Sequence, residues 1–353
     1  MARRLPLFST SGFFAKGLPV SAPRLRVSCE GISLMMLTDE QLGAFVSKVL
    51  HLGPGKRKEF IGQVDYLIGR LKKKIEEDSS FKVKGFKKTG SLVKGTVLKP
   101  KGDYGVDADI GVFLDVSEAE KGDVEKLHHI IRKLLIAVYP TKKEEDFQVQ
   151  PRTLGIHFHD SGLDVDLVPV IPITNQPGYG WQPSSAAGDP VKTSIQGQLD
   201  FIESRKKADT RFRSIVRLLK KWRNERELDC FRSFTIELIV AHCYDRDGVA
   251  ASLESGLQRF FLFVAQSGLK EPISFPELGK VSSFPSHPVV VLDPVNKDNN
   301  VAMRITEQER KEIVQAAEKA WSTIEAASWK GTKGETLDLW KEVMGRSFTV
   351  DKD

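Results

Sequence analysis

Apolar residues recur every three or four positions at Phe60, Val64, Leu67, Leu71 and Ile75, and this spacing predicts a helix over about 56–77. Ahead of it, "LTDEQLGAFVSKVLHL" opens with Thr38 and Gln41 at capping-box spacing, which predicts a first helix beginning there. The period then changes. "FKVKGFKK" alternates as a strand does, and "DIGVFLDV" is a largely apolar strand. After a helix over about 117–138, "FQVQ", "TLGIHFHD" and "LDVDLVPV" read as three more strands. From about residue 196 the pattern is helical to the end. "DFIESRKKADTRFRSIVRLLKKWRNE", "SFTIELIVAHCYDRDG" and "LESGLQRFFLFVAQS" read as long helices, and "TEQERKEIVQAAEKAWSTIEAA" starts on a second capping box, Thr306 with Glu309. "NQPGYGWQPSSAAGDP", at 175–190, reads as a mobile loop. The predicted fold class is α+β: a lobe built on a mixed β-sheet over 36–192, then a helical C-terminal lobe over 193–353. The cleft between lobes is where ligands usually sit.

The segment "TLGIHFHDSGLDVDLVPV" is a hairpin whose register decides which side chains meet. A two-residue turn at Ser161-Gly162 sets His159 opposite Asp164 and His157 opposite Asp166. Ile156, Phe158, Val165 and Leu167 then share a core face, and the two histidines and two aspartates share the cleft face, because side chains alternate along a strand. On that register His159 neutralises Asp164. A turn one residue longer shifts the register and separates these pairs.

Composition narrows the class. With 40% hydrophobic and 28% charged residues the chain fits a globular enzyme, and no run approaches the roughly 18 apolar residues a membrane span needs. Three scattered cysteines, Cys29, Cys230 and Cys243, are too few for a disulfide framework or a four-ligand zinc site, which points to a reducing cytoplasm. Of the six net positive charges, four lie in residues 1–34, where Arg3, Arg4, Lys16, Arg24 and Arg26 face only Glu30. The remainder is near neutral, so overall charge gives no strong argument for nucleic-acid binding. That first segment, rich in Ser, Arg and Pro, fits a disordered or wrongly extended start, and a transit peptide has the same composition.

The chemistry is concentrated in "GSLVKGTVLKPKGDYGVDADIGVFLDV", residues 90–116. Glycines at a turn let backbone N–H groups approach a phosphate. Asp107 and Asp109 are two apart, so a strand puts both on one face. "LDVDLVPV" offers Asp166, with Asp164, on one face of another strand. Three carboxylates from two strands can hold two Mg²⁺ ions about 4 Å apart, an arrangement that activates a hydroxyl and stabilises a leaving phosphate.

This combination resembles the polymerase-β-like nucleotidyltransferases, and within them the family of oligoadenylate synthases, cyclic GMP–AMP synthase and the bacterial anti-phage (CBASS) CD-NTase cyclases. The resemblance covers about 90–302. A "GSxxxGT" turn matches Gly90-Ser91 and Gly95-Thr96, and a strand of form "hDhhP" matches Asp166 before Leu167-Val168-Pro169. "RLLKKW" resembles the helix whose lysine contacts the triphosphate, here Lys220. "SFTIELIVAH" resembles the helix whose serine binds the phosphate tail and whose next aromatic stacks on a base, here Ser233 and Phe234. "DPVNKDNNVA", at 293–302, resembles an oligoadenylate-synthase segment. The zinc-binding insertion of the animal cyclase is absent, as are long basic runs, and phenylalanine at 234 replaces the family's tyrosine.

The resemblance implies a nucleotidyltransferase using two Mg²⁺ ions, with Mn²⁺ a possible substitute. Asp107, Asp109 and Asp166 would bind metal, and Gly90, Ser91, Lys220, Ser233 and Phe234 would bind nucleotide. NTPs, ATP first, are the implied substrates, and a cyclic di- or trinucleotide the implied product, signalling to a downstream effector in anti-phage defence. A linear oligoadenylate synthase, or an enzyme that tags a tRNA or protein, is the alternative.

A chain beginning at Met36 is expected to match the full chain in melting temperature and turnover, since residues 1–34 carry no periodic pattern and the capping box starts at Thr38. Loss of either property would show the segment to be part of the working protein.

Overall fold

The computed structural model of the protein describes residues 36–77, 82–100, 105–116, 123–183 and 190–350. The chain starts with α1 (Asp39–Phe45), capped by the Thr38–Gln41 box, then a π-helical turn (Val46–Leu50) and the long helix α2 (Pro54–Glu77). Strand β1 (Val83–Thr89) leads into the short helix α3 (Gly90–Lys94), which carries the Gly-Ser turn, and β2 (Val106–Leu114) follows. Helix α4 (Val124–Val138) crosses over to β3 (Phe147–Val149), β4 (Leu154–Phe158) and β5 (Leu163–Pro172). Residues 117–122, where the sequence predicts the start of α4, lie outside the described residues.

The strands form one mixed sheet in the order β1-β2-β5-β4-β3. The β2 and β5 strands run parallel, and the other pairs antiparallel. One face is apolar. Val106, Ala108, Ile110, Leu163, Val165 and Leu167 bury it against Val64, Leu67 and Leu71 of α2 and Leu127, Ile131 and Leu135 of α4. The opposite face carries the aspartates.

Two short strands extend the sheet, β6 (Gly180–Gln182) within the segment predicted as a loop and β7 (Val191–Thr193) just after it. Residues 184–189 of that segment lie outside the described residues. Helices α5 (Ile195–Ala208), α6 (Phe212–Glu225), α7 (Ser233–Asp247) and α8 (Leu253–Ser267) follow, then the hairpin of β8 (Leu292–Asp293) and β9 (Asn296–Asn300), and helices α9 (Glu307–Ser328) and α10 (Lys333–Met344). They enclose a second core in which Trp222 is fully buried, 4.9 Å between ring centroids from Phe261. Leu37, Leu42, Phe45, Val46 and Leu50 belong to this core, so the first helix packs with the C-terminal helices.

Two expectations need correction. The single helix read across 200–225 is broken at Asp209, whose backbone is extended. Its carboxylate accepts from the Arg211 backbone N–H at 3.0 Å and from the Tyr244 hydroxyl at 2.8 Å, so the side chain competes with helix continuation and wins. The β4–β5 hairpin turns through four residues, 159–162, with the Gly162 N–H donating to the Phe158 carbonyl at 2.9 Å. His157 therefore faces Asp164, and Gly155 faces Asp166. His157 Nδ1 donates to Asp164 at 2.6 Å, while His159 reaches away to Asp146, also at 2.6 Å. His159 does not neutralise Asp164.

The corrected register makes an energetic statement. In double-mutant cycles His157→Ala and Asp164→Asn should couple by about 0.5 kcal/mol or more, whereas His159→Ala and Asp164→Asn should add within about 0.3 kcal/mol. Thermal melts of the three single and two double variants measure both, and coupling at His159 instead would restore the shorter turn.

Candidate active site

The parallel pairing of β2 with β5 sets Asp107 beside Asp164 and Asp109 beside Asp166 on the cleft face. Continuing across the sheet, Asp166 neighbours Gly155, and Gly155 neighbours Gln148. One row thus reads Asp109, Asp166, Gly155, Gln148, and the row beside it Asp107, Asp164, His157.

The carboxylates of these rows perturb one another. Burial, then the charges of Asp166 and Asp107, raise the Asp109 carboxyl to about 6 against the pull of Lys94 and Lys220. Burial, then Asp107 and Asp164, raise Asp166 to about 6. Asp107 is raised as well, by partial desolvation and by Asp164, with Lys220 and Arg223 opposing. Among the described residues no three His, Cys, Asp or Glu side chains stand close enough together to hold a metal ion. The donor set nonetheless fits a hard divalent cation: oxygen ligands only, in register on adjacent strands, repelling one another without it.

The Gly-Ser turn lies directly above this row. Gly90 has φ +74°, and a Cβ there would stand 1.8 Å from Asp109 Oδ2, so only glycine lets the turn approach the carboxylate. The Ser91 carbonyl accepts from the Thr96 and Val97 N–H groups at 3.0 and 3.2 Å, which fixes the turn's shape.

Helices α6 and α7 bring the predicted cationic side to the same place. Lys220 is buried and donates to the Thr96 carbonyl at 3.0 Å. Burial, with Arg223 and Lys94 nearby, lowers its pKa to about 8, although Glu237 and Asp107 pull it back up. Ser233 is the first residue of α7, and Arg223 donates to its hydroxyl at 3.4 Å. Phe234 packs partly buried against the helical core, with the Lys94 ammonium 4.4 Å from its ring centroid. The structure therefore sets Gly90 over Asp109 and Asp109 beside Asp166, with Asp107 in the next row and Lys220 within electrostatic reach, while Ser233 meets Arg223 and Phe234 meets Lys94.

Sequence reasoning missed Glu237. It is 1% exposed, and it accepts from Lys94 Nζ at 2.6 Å and from the Thr96 hydroxyl at 2.7 Å, tying α3 to α7. The available signal was its place as the lone acid in "SFTIELIV", one helical turn after Ser233. Asp293 of the 293–302 segment is also buried and lies elsewhere. It accepts from Gln198 at 2.7 Å and Asn299 at 3.0 Å and so fastens the β8–β9 hairpin to α5.

No protein-family model matches the chain. Among curated proteins, a CBASS oligonucleotide cyclase CdnC of Escherichia coli (strain KTE188) is 42% identical over 317 residues, 90% of this chain and 99% of that one. A cyclic AMP-AMP-AMP synthase of Escherichia coli (strain MS 115-1) is 32% identical over 315 residues, 87% of this chain and 96% of that one. Among solved structures, E. coli MS115-1 CdnC with ATP superposes at TM-score 0.77 and 31% identity, covering 89% of this chain and 99% of that one. A CdnC:HORMA-deltaN complex superposes at TM-score 0.75 and 30% identity, covering 89% and 98%. With the sheet-and-helix architecture and nearly the full length of these relatives in common, the chain belongs to the CBASS oligonucleotide cyclases, a CD-NTase family of polymerase-β-like nucleotidyltransferases.

Proposed function

We propose that this protein joins NTPs into a cyclic di- or trinucleotide second messenger for anti-phage signalling, releasing pyrophosphate at each transfer. The observation that carries the reading is the in-register row of Asp109 and Asp166, beside Asp107, directly beneath the Gly-Ser turn. In each transfer a ribose hydroxyl oxygen bonds to the α-phosphorus of a bound NTP, and the bond from that phosphorus to pyrophosphate breaks. Asp107, Asp109 and Asp166 would hold divalent cations, Mg²⁺ or Mn²⁺. Bound there, such ions supply Lewis-acid polarisation of the phosphate and a lowered pKa for the attacking hydroxyl. Gly90 and Ser91 present the turn to the triphosphate, Lys220 and Ser233 meet its far end, and Phe234 offers an apolar wall to the base. The fixed charges need little reorganisation during reaction, which is the main lever for phosphoryl chemistry.

The cyclic AMP-AMP-AMP synthase among the relatives supports ATP as a substrate and a cyclic product. The solved complex of a relative with a HORMA protein supports a protein partner, in addition to an effector that reads the product. No helix among the described residues is long and apolar enough to cross a membrane. The scarcity of cysteines supports a cytoplasmic setting.

Incubation with labelled NTPs and Mg²⁺, followed by phosphatase, tests the reading. Cyclic products resist phosphatase, and phosphatase-sensitive products would establish a linear synthase instead. Asp107→Ala with Asp109→Ala should lower product at least about 100-fold while leaving the fold intact. Turnover within tenfold of wild type would remove these aspartates from the site.

The acidic row also sets a pH dependence of stability. In the folded protein Asp109 and Asp166 keep their protons up to about pH 6, whereas in the unfolded chain they ionise near pH 4. The native state thus binds more protons across that window, so metal-free stability falls as pH rises from about 4 to about 6 and stays low above. Asp109→Asn should raise the melting temperature in EDTA at pH 7.5 by roughly 2–4 °C and leave it unchanged at pH 4. Adding Mg²⁺ should raise the wild-type value and not that of the double alanine variant. An equal gain from Asp109→Asn at both pH values would show that carboxylate repulsion is not its source.

A further inference from the structure

Helix α7 offers two groups to one ammonium. Phe234 and Glu237 are three residues apart on this helix, so their side chains share a face. Lys94, the last residue of α3, reaches across to both. Its Nζ donates to Glu237 Oε2 at 2.6 Å and stands 4.4 Å from the centroid of the Phe234 ring. The Lys94 and Glu237 side chains are 9% and 1% exposed, so this ammonium lies over the ring largely out of water. The attraction between a cation and the negative face of an aromatic ring is strongest in such a place.

Phe234 needs such a hold. A phenylalanine ring has no polar atom to fix its rotation, and its outer torsion is broad. The ring is only partly buried, so core packing leaves part of it uncovered. Lys94 supplies the directional contact. The ammonium is itself held in place, because Glu237 also accepts from the Thr96 hydroxyl at 2.7 Å. With Lys94 against one face, a flat partner can stack only on the other. The cation draws π density toward itself, which lessens the repulsion between that second face and another aromatic ring. The same short helix begins with Gly90 and Ser91. One element thus carries both the phosphate turn and the cation behind the stacking ring.

We propose that Lys94 is a positioning residue for the base: through Phe234 it sets the plane on which the base of the bound NTP stacks, in register with the triphosphate at the Gly-Ser turn. The inference rests on the nucleotidyl-transfer reading above. Its action passes through the ring and so reaches the base end of the nucleotide alone. A purely mechanical tie between α3 and α7 would act on the triphosphate end as well, because it would shift the turn.

Two ligands separate these ends. 2′,3′-Dideoxy-ATP carries base and triphosphate but no attacking hydroxyl, so it binds without reacting, and inorganic tripolyphosphate is the tail alone. Lys94→Met with Glu237→Gln removes the cation without stranding a buried carboxylate. The pair is neutral overall, so the net charge facing the phosphates does not change. In the full chain with Mg²⁺, this double variant should bind dideoxy-ATP at least about fivefold more weakly, and tripolyphosphate within about twofold of wild type. Lys94→Arg, which keeps a cation for the ring, should hold dideoxy-ATP within about twofold. Phe234→Leu should itself weaken dideoxy-ATP, and on that background the neutral pair should add no further loss. Lys94→Gln with Glu237→Gln, uncharged and still able to hydrogen-bond, should give the same readings and serves where the methionine variant melts early. Equal weakening of both ligands, or losses that simply add to that of Phe234→Leu, would overturn the proposal and leave Lys94 a mechanical tie. Wild-type protein that binds neither ligand would instead overturn the functional reading beneath it.

Discussion

The site depends on one buried carboxylate. Glu237 on α7 receives the Lys94 ammonium and the Thr96 hydroxyl, both from the segment that closes the Gly-Ser turn. Its partners sit on the sheet lobe, and its helix belongs to the helical core. A buried pair of this kind adds little net stability, because the desolvation of both charges offsets their attraction. Breaking it is another matter: loss of one partner strands a buried charge at a cost of about 3–5 kcal/mol. The pair therefore acts as a latch more than as glue. It fixes where α3 ends, and since α3 is only five residues long, it fixes where Gly90 meets Asp109.

The latch leaves the cleft electrostatically unbalanced on both sides. On the sheet, three aspartates repel one another, and two of them hold protons up to about pH 6. On the facing side, the charges of Glu237, Arg223 and Lys94 act on Lys220, and burial drives it down to about 8. Each imbalance relieves the other only in part: Lys94 and Lys220 pull the Asp109 carboxyl down and Asp107 pulls Lys220 up, and burial outweighs both. On the proposed function, a divalent cation bound to a polyphosphate would complement both at once, its metal facing the acids and its phosphate tail the bases. Such preorganised, unrelieved charge is costly in the empty protein and valuable to a charged transition state.

Much of this could be read in the sequence. The shared strand faces of the aspartates and most of the helices follow from spacing, the Gly-Ser turn from its glycines and the family resemblance, and the faces of the β4–β5 hairpin were right although its register was not. The reason is geometric. The turn is two residues longer than expected, and a slip of two preserves the alternation of faces while changing every partner. Asp164 and Asp166 thus stay in the cleft, but Asp164 gains His157 and Asp166 gains an open glycine. The break at Asp209 was missed because no glycine or proline marks it, only an aspartate that bonds its own turn. Glu237 was missed for a different reason. Its meaning lies in Lys94, 143 positions earlier, and no local pattern reports a contact so distant in the chain.

Chain order and packing also disagree at the beginning. Residues 37–50 precede the sheet lobe yet pack in the helical core, where the Leu37 N–H donates to the buried Glu254 at 3.0 Å. The chain then passes into the sheet lobe at α2, and the Lys99 N–H returns to the Leu50 carbonyl at 2.7 Å. Two crossings thus run side by side, one at residues 50–53 and one at 94–99, and the second is the segment held by Glu237 and Lys220. Any widening of the cleft must strain both, so the distance between acidic and basic walls is set by backbone as well as by charge. The same crossing that carries the Gly-Ser turn is the one that joins the cores, and for that reason the turn cannot be loosened without loosening the union of the lobes.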